Sequence, residues 1–506
     1  MKYVIGVDLG TSAVKVLLMN QEGKVCNQVL KSYPLIQEKS GYSEQVPKEW
    51  VEKTTAALKE LVDEFDADIA NIEGISFSGQ MHGLVLLDKG KNVLRNAILW
   101  NDTRTTEQCQ KIYDMIGEER LLKITKNPAL EGFTLPKLLW VKQYEPEVFK
   151  KVAVFMLPKD YLRYEMTGQI HSEYSDAAGT LMFNVGEKKW SKELCELVGI
   201  DSKLCPPVVA SHECVGTITE RFAKLTGLAP TTKVFAGGAD NACGAIGSGI
   251  LSEGKTLCSI GTSGVILSYE ERNDRDFSGR VHYFNHGEEN AFYAMGVTLA
   301  AGYSLSWFRD TFAKEEAFEG FLEGLENVPI GANGLLFTPY LSGERTPHAD
   351  AIIRASFIGM QATHGRIDFV RAVIEGITFS LNETIEIFRE RGKKIDTIIS
   401  IGGGAKNDIW LQIQADVFNA RIVKLSSEQG PAVGAAMLAA FGCGWYSSLQ
   451  ECADVFIAQS KTFTPILENV EKYKELFLLY KDTYVQTKKL NEALKKFRNN
   501  QLSHGG

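Results

Sequence analysis

Two short loops, Gly10-Thr11-Ser12 and Gly261-Thr262-Ser263, stand on either side of an isolated acid, Asp240, in a run of small residues, GGADNACGAIGSG. Loops of this composition expose several backbone N–H groups together, because glycine permits positive φ and close approach, and their hydroxyls add donors for anionic oxygens. A carboxylate between two such loops points to phosphoryl transfer. On the residues alone, Asp240 is equally well a turn aspartate capping the helix that follows it.

The elements that carry these loops are legible. Residues Tyr3 to Leu18 read strand, glycine turn, strand, with aliphatic and β-branched residues on both sides of the turn, the pattern of a buried hairpin. The same arrangement returns at Lys255 to Glu270, where SIGTSGVI lies on DLGTSAVK with a constant offset of 251 residues. A repeat spaced by half the chain predicts two similarly built domains, each opening with a hairpin that contributes one phosphate loop. Mixed strand and helix segments follow each hairpin, so both halves are expected to be α/β. The expected boundary divides residues 1–246 from 247–506. Without a proline-rich or serine-rich linker, the halves should touch along a cleft and move by a hinge. Val470, Tyr473, Leu476, Phe477, Tyr480 and Tyr484 fall at helical spacing near the C-terminus, the signature of a packing face.

Bulk properties exclude several classes of function. A chain of 506 residues exceeds the ~250–300 at which one hydrophobic core stops growing. Its net charge of −8 offers no basic field for a nucleic-acid backbone. Nine cysteines without a CxxC pair suggest neither a zinc site nor a disulfide framework. No run approaches the ~20 apolar residues of a membrane span, and Asp8 interrupts the first apolar stretch too early for a signal peptide. A cytoplasmic protein without membrane or nucleic-acid partners is expected.

Further segments narrow the reading: GFTLPKLLW at Gly132–Trp140, LPKDYLRYEMTG at Leu157–Gly168, SDAAGT at Ser175–Thr180, YLSGERTPH at Tyr340–His348 and GPAVGAA at Gly430–Ala436. In this order, with the hairpins and Asp240, the chain resembles over nearly its whole length the FGGY family of sugar kinases, within the actin-like ATPase superfamily. The resemblance implies an α/β fold of two actin-like (ribonuclease H-like) domains with a catalytic cleft between them. It also implies ATP and Mg²⁺ as cofactors, a small sugar as substrate and a homodimer. Met81 and His82, in SGQMHG, stand where glycerol kinases have arginine and glutamate, which disfavours glycerol. With ILWND at Ile98–Asp102 and ADNA at Ala239–Ala242, they imply a ketopentose, D-xylulose phosphorylated at O5, with ribulose or another ketose or polyol as the nearest alternative. One departure is Ala239, where related proteins have glycine before the aspartate.

Carried onto this sequence, the resemblance makes Asp240 the general base that collects the proton of the attacking hydroxyl. Asp8, at the end of the first strand, is expected to hold magnesium with Asp240, through water. Gly10, Thr11 and Ser12 should meet the terminal phosphate, and Gly261, Thr262 and Ser263 the phosphates from the other domain. Gly302, with Gly403, Gly404, Ala405 and Asn407, should form the adenosine pocket, where absent side chains let a flat base lie against backbone. Met81, His82, Trp100, Asp102, Arg104, Asp240 and Asn241 should bind the sugar, supplying hydroxyl partners and an apolar face. Trp100 is alternatively a core filler, and Lys15 either neutralises phosphate charge or is solvated. His282 and His286 lack a completing ligand set and read as no metal site. The loop with Arg345, Pro347 and His348 reads as structural or interdomain. A non-catalytic actin-like nucleotide-binding protein is the rival of a different class; retention of both aspartates argues against it.

Overall fold

The computed structural model describes residues 1–427 and 430–503. Its framework is a pair of seven-stranded sheets. In the first, Val25–Ser32, Ala13–Asn20 and Tyr3–Leu9 run antiparallel in that order, and Ile72–Gly79 and Lys233–Phe235 continue parallel to the last of them, with Cys214–Thr217 at the edge. Gly238–Ala239 also pairs with Ile72–Gly79. The second sheet repeats the plan: Phe292–Thr298, Gly264–Glu270 and Lys255–Ile260 antiparallel, then Thr397–Gly402 and Arg421–Leu425 parallel. The α/β duplication expected from the two hairpins is therefore present.

The hairpins differ in one detail. Leu9 pairs with Val14 in the first, whereas Ile260 pairs with Gly264 in the second, so the second turn is one residue tighter. The offset of 251 holds through the glycine and slips by one on the returning strand.

Central strands are apolar on both faces because both are covered: Val4, Ile5, Val7 and Leu9 are all fully buried. Helix Pro47–Asp63 covers one face of the first sheet with Trp50, Ala57, Leu58 and Leu61. The other face meets helix Pro431–Gly442, an alanine-rich segment from the distant end of the sequence. That helix also crosses helix Asp240–Gly247 at very close range. A Cβ on Gly434 would lie 1.9 Å from the Cys243 carbonyl oxygen, so only glycine permits the crossing. The GPAVGAA segment is thus a backbone contact between the halves.

Residues 84–210 form a layer of helices and short strands over the cleft that packs on both halves: Val85, Leu87, Val154 and Leu162 enter the core of the first sheet, while Leu86, Leu138, Phe155 and Phe183 share a core with the second. Asn127 ties them, donating to Tyr283 O at 2.7 Å and accepting from Tyr283 N at 3.1 Å. Helix Leu467–Ser503 buries Val470, Tyr473, Phe477 and Tyr480 against the second domain, as the helical stripe predicts. Among the described residues, no helix is long and apolar enough to cross a membrane.

Candidate active site

Asp240 lines a cavity of 240 Å³ whose walls come from the second sheet, from the segments that follow strands of the first sheet, and from the layer over the cleft. It is the first residue of its helix, with Ala239 in the capping position. Its Oδ1 accepts from the backbone N–H of Asn241 at 2.7 Å and from the Asn241 side-chain amide at 3.0 Å. The carboxylate therefore turns toward the cavity, not over a helix end two or three residues on. Burial raises its pKa to about 7, and the neighbouring Asp8 carboxylate adds to the rise; the bonds from Asn241 oppose it.

A raised pKa has a stability consequence. The stability contributed by Asp240 is complete below about pH 4 and is lost as pH rises through about 7, since ionisation is harder in the folded state. The Asp240→Asn protein is accordingly expected to melt above wild type at pH 8, by roughly 1–3 °C, with the gap closing near pH 4. Melting curves at both pH values check this; an equal or lower melting temperature at pH 8 refutes it.

Met81 and His82 occupy the cavity wall as expected. The Met81 sulfur accepts from Asn241 Nδ2 at 3.7 Å and from Tyr293 OH at 3.8 Å, and so joins the two halves. His82 has φ 65°, a left-handed conformation, and its Nδ1 lies 2.6 Å from the Gly179 carbonyl oxygen. A carbonyl only accepts, so Nδ1 carries the proton and Nε2 is left as an acceptor. Burial and the nearby Lys137 push the His82 pKa down to about 3, which keeps the ring neutral. Lys137, in GFTLPKLLW, donates to His82 O at 2.9 Å and Gly132 O at 2.6 Å and holds the loop.

Trp100 is not a core filler. The residue is 38% exposed, lines the cavity and donates from Nε1 to Thr11 Oγ1 at 2.9 Å. Asp102 and Arg104, by contrast, do not line the cavity. Asp102 is fully buried and its carboxylate is consumed by Arg104 (Nη2 to Oδ2, 2.7 Å) and by the backbone N–H of Ser43 (2.6 Å). The Arg104 guanidinium lies 3.6 Å from the centre of the Tyr42 ring and pairs with Glu44. The pair shapes the turn behind Trp100.

The sequence reading missed several wall residues: Phe133 and Phe284, His282, and Arg345, which it assigned to a structural loop. His282 begins strand His282–Asn285, and its buried Nδ1 has no hydrogen-bond partner among the described residues. Arg345 extends from a loop clamped to the second sheet by Thr346 N to Val297 O at 3.1 Å and Leu299 N to Glu344 Oε1 at 3.0 Å. No hydrogen bond or ion pair of its guanidinium is found among the described residues. His348 of the same loop stacks on Tyr484 and pairs with Glu383 at 3.3 Å, a packing role.

A second cavity, of 610 Å³, is lined by Gly261, Thr262, Gly302, Gly403, Gly404 and Asn407, as expected, and by Tyr303, Leu322, Lys406 and Trp410. Gly302 is required there, since a Cβ would lie 2.4 Å from Gly261 O. Asn407 also caps helix Asp408–Phe418, accepting from Trp410 N at 3.0 Å. Ala405 does not line the cavity; it is fully buried as the last residue of the short 3₁₀ turn Gly403–Ala405. Gly10, Thr11 and Ser12 line neither cavity, and Thr11 touches the smaller one only through Trp100. The tighter second loop reaches both: Gly261 and Thr262 face the larger cavity and Ser263 the smaller.

Asp8 pairs across the first hairpin with Lys15 and across the sheet with Ser78. Burial raises its pKa, against the nearby Ser78 hydroxyl and the charge of Lys15. Two carboxylates close enough to disturb each other form a donor set that suits a hard cation, and Mg²⁺ ordinarily takes one or two carboxylates with phosphate oxygens and water.

The FGGY family of carbohydrate kinases matches the chain with its N-terminal domain over residues 3–247 and its C-terminal domain over residues 256–443. Fold and cavities together define a carbohydrate kinase, and the chain belongs to the FGGY family. It is 65% identical over 500 residues to the xylulose kinase of Bacillus subtilis (strain 168), covering 99% of this chain and 100% of that protein. Among solved structures, the ligand-bound xylulose kinase from Lactobacillus acidophilus matches with a TM-score of 0.91 at 30% identity, covering 96% of this chain and 98% of that one. A gluconate kinase from the same organism matches with the same TM-score, identity and coverage. The actin-like two-domain α/β fold is that of these relatives.

Proposed function

We propose that the protein is a xylulokinase, transferring the γ-phosphoryl group of ATP to O5 of D-xylulose to give D-xylulose 5-phosphate and ADP. The chain-wide likeness to a xylulose kinase supports the choice of sugar. The reaction itself rests chiefly on one observation. Consecutive residues Gly261, Thr262 and Ser263 pass from the larger cavity into the smaller, where Asp240 stands. A nucleotide in the first and a sugar in the second would meet at that loop.

The larger cavity suits adenosine, with Trp410, Leu322 and Tyr303 as apolar walls and the backbone of Gly403 and Gly404 against the base. In the smaller, Phe133, Phe284 and Trp100 cover the carbon skeleton while His82 Nε2 accepts from a hydroxyl. Asp240 orients O5 and takes its proton. In a loose transition state that proton moves late, so placement of the carboxylate counts for more than its basicity. Bound Mg²⁺ supplies positive charge against the phosphate oxygens, and Asp8 with Asp240 would hold it. The layer over the cleft excludes water that would otherwise accept the phosphoryl group.

Arg345 gives the sugar a contact from the second domain. The Arg345→Met protein is expected to show a KM for the sugar raised about tenfold or more, with KM for ATP within about twofold of wild type. Unchanged KM for the sugar would remove Arg345 from substrate contact. An unpaired guanidinium also favours a second reading, a sugar acid, and the equal likeness to a gluconate kinase supports that comparison. ADP release measured with ATP, Mg²⁺ and D-xylulose, D-ribulose, L-ribulose, L-xylulose, glycerol or gluconate separates these. A dominant response to D-xylulose is the expected result; a dominant response to gluconate overturns the choice of sugar, and none at all overturns the kinase reading.

A further inference from the structure

Two segments with no part in either cavity, LPKDYLRYEMTG and SDAAGT, meet beneath the catalytic helix as a cluster of charges. Lys159, Asp160, Arg163, Glu173, Ser175 and Asp176 are all fully buried. Lys159 Nζ lies 2.8 Å from Asp160, 3.0 Å from Asp176 and 3.3 Å from Glu173, and Arg163 lies 3.0 Å from Asp160. Six charged and polar side chains without solvent are a costly way to fill a core. What they hold is the strand end leading to Asp240.

Residues 236–239 are tied to this cluster or its neighbours at three points. Arg163 donates to Ala236 O, Gly237 N donates to Ser211 O at 2.9 Å, and Ala239 N donates to Ser175 Oγ at 2.9 Å. The last bond runs only one way, because a backbone N–H donates and never accepts, and the Glu173 carboxylate fixes how the serine hydroxyl meets it. A serine hydroxyl has one proton, and Ser175 gives it to the Glu173 carboxylate, at 2.8 and 2.9 Å from its two oxygens. The lone pairs of Ser175 Oγ are then left for the N–H of Ala239. Glu173 is itself oriented by the backbone N–H groups of Ser175 and Asp176, both at 2.8 Å, and by Ser211 Oγ at 2.8 Å. Lys159 holds positive charge against the acids that do this.

We propose that Ser175, oriented by Glu173, is a positioning residue for Asp240: it fixes the backbone of the preceding residue and so the direction in which the carboxylate enters the sugar cavity. The inference rests on the reading of Asp240 as the base. A small misplacement of a reacting group costs on the order of 10²-fold in rate. Ser175 reaches the chemistry only through Ala239.

The test is steady-state kinetics and melting of Ser175→Ala, Ser175→Thr, Asp240→Asn and the Ser175→Ala/Asp240→Asn double variant. For Ser175→Ala, kcat is expected to fall about 10–100-fold while KM for sugar and ATP stay within about twofold. Ser175→Thr, which keeps the hydroxyl, should recover most of the rate. In the Asp240→Asn background the Ser175 change should cost nothing further, because no base remains to be placed. A kcat for Ser175→Ala within about twofold of wild type overturns the inference, and so does a double variant slower by the product of the single effects. If Ser175→Ala fails to fold, Glu173→Gln serves: its amide no longer forces the serine proton to one side, and the same dependence on Asp240 is expected. Failure of the reading itself is distinguishable, since Asp240→Asn would then turn over normally.

Discussion

Replacement of Asp240 by alanine is expected to lower kcat for sugar phosphorylation by about 10²–10⁴-fold, with nucleotide binding retained. The carboxylate stands at the smaller cavity, whereas the larger cavity is built without it. Coupled measurement of ADP release and nucleotide titration checks both halves of the statement; an unchanged rate would sink the assigned role. The pH dependence carries the same logic. A base whose pKa is raised to about 7 is protonated, and inactive, on the acid side, so kcat/KM of the wild type should rise with pH through about 7. Part of that rise comes from the Asp8 charge. Asp8→Asn should therefore move the acid limb to lower pH even as it weakens magnesium-dependent activity, and an unmoved limb would show that the two carboxylates do not interact.

Loss of Lys159 is expected to have the largest effect on stability. The Lys159→Met protein keeps the volume but leaves Asp160, Glu173 and Asp176 without the ammonium that lies within 3.3 Å of each. Removing one partner from a buried ion cluster typically costs about 3–5 kcal/mol, because the remaining charges have neither water nor a counterion. Burial already raises the Asp176 pKa to about 8, with Lys159 holding it down. Without Lys159 the Asp176 carboxyl ionises less readily still, so the loss should be greater at pH 8 than at pH 5, where its protonation relieves it. Denaturant unfolding at the two pH values tests this. A destabilisation below about 1 kcal/mol, or one independent of pH, would mean that water or Arg163 compensates for the lost charge.

Much of the architecture was legible because it is written in local patterns. Each hairpin shows its turn as glycine flanked by β-branched strands, and the terminal helix shows its buried face at Val470, Tyr473, Phe477 and Tyr480. The covering of the first sheet by Pro431–Gly442 was not legible. An alanine-rich helix has no apolar stripe to aim it, and its partner strands lie some four hundred residues away in the chain. The single-residue slip between the hairpins escaped for another reason: a string alignment does not register how tightly a turn closes.

By itself the sequence determined the chemistry on offer: two glycine-threonine-serine loops, an aspartate between them, and the ordered segments that tie the chain to a kinase family. Tertiary structure decided which side chains can use it. Asp102 and Arg104, next to Trp100 in sequence, neutralise each other behind it, while Arg345 and His282, each more than a hundred residues from Trp100, complete the wall of the smaller cavity. A polar side chain is available to a substrate only if no protein group has already satisfied it. That depends on neighbours in space, and those are supplied by packing the two halves together.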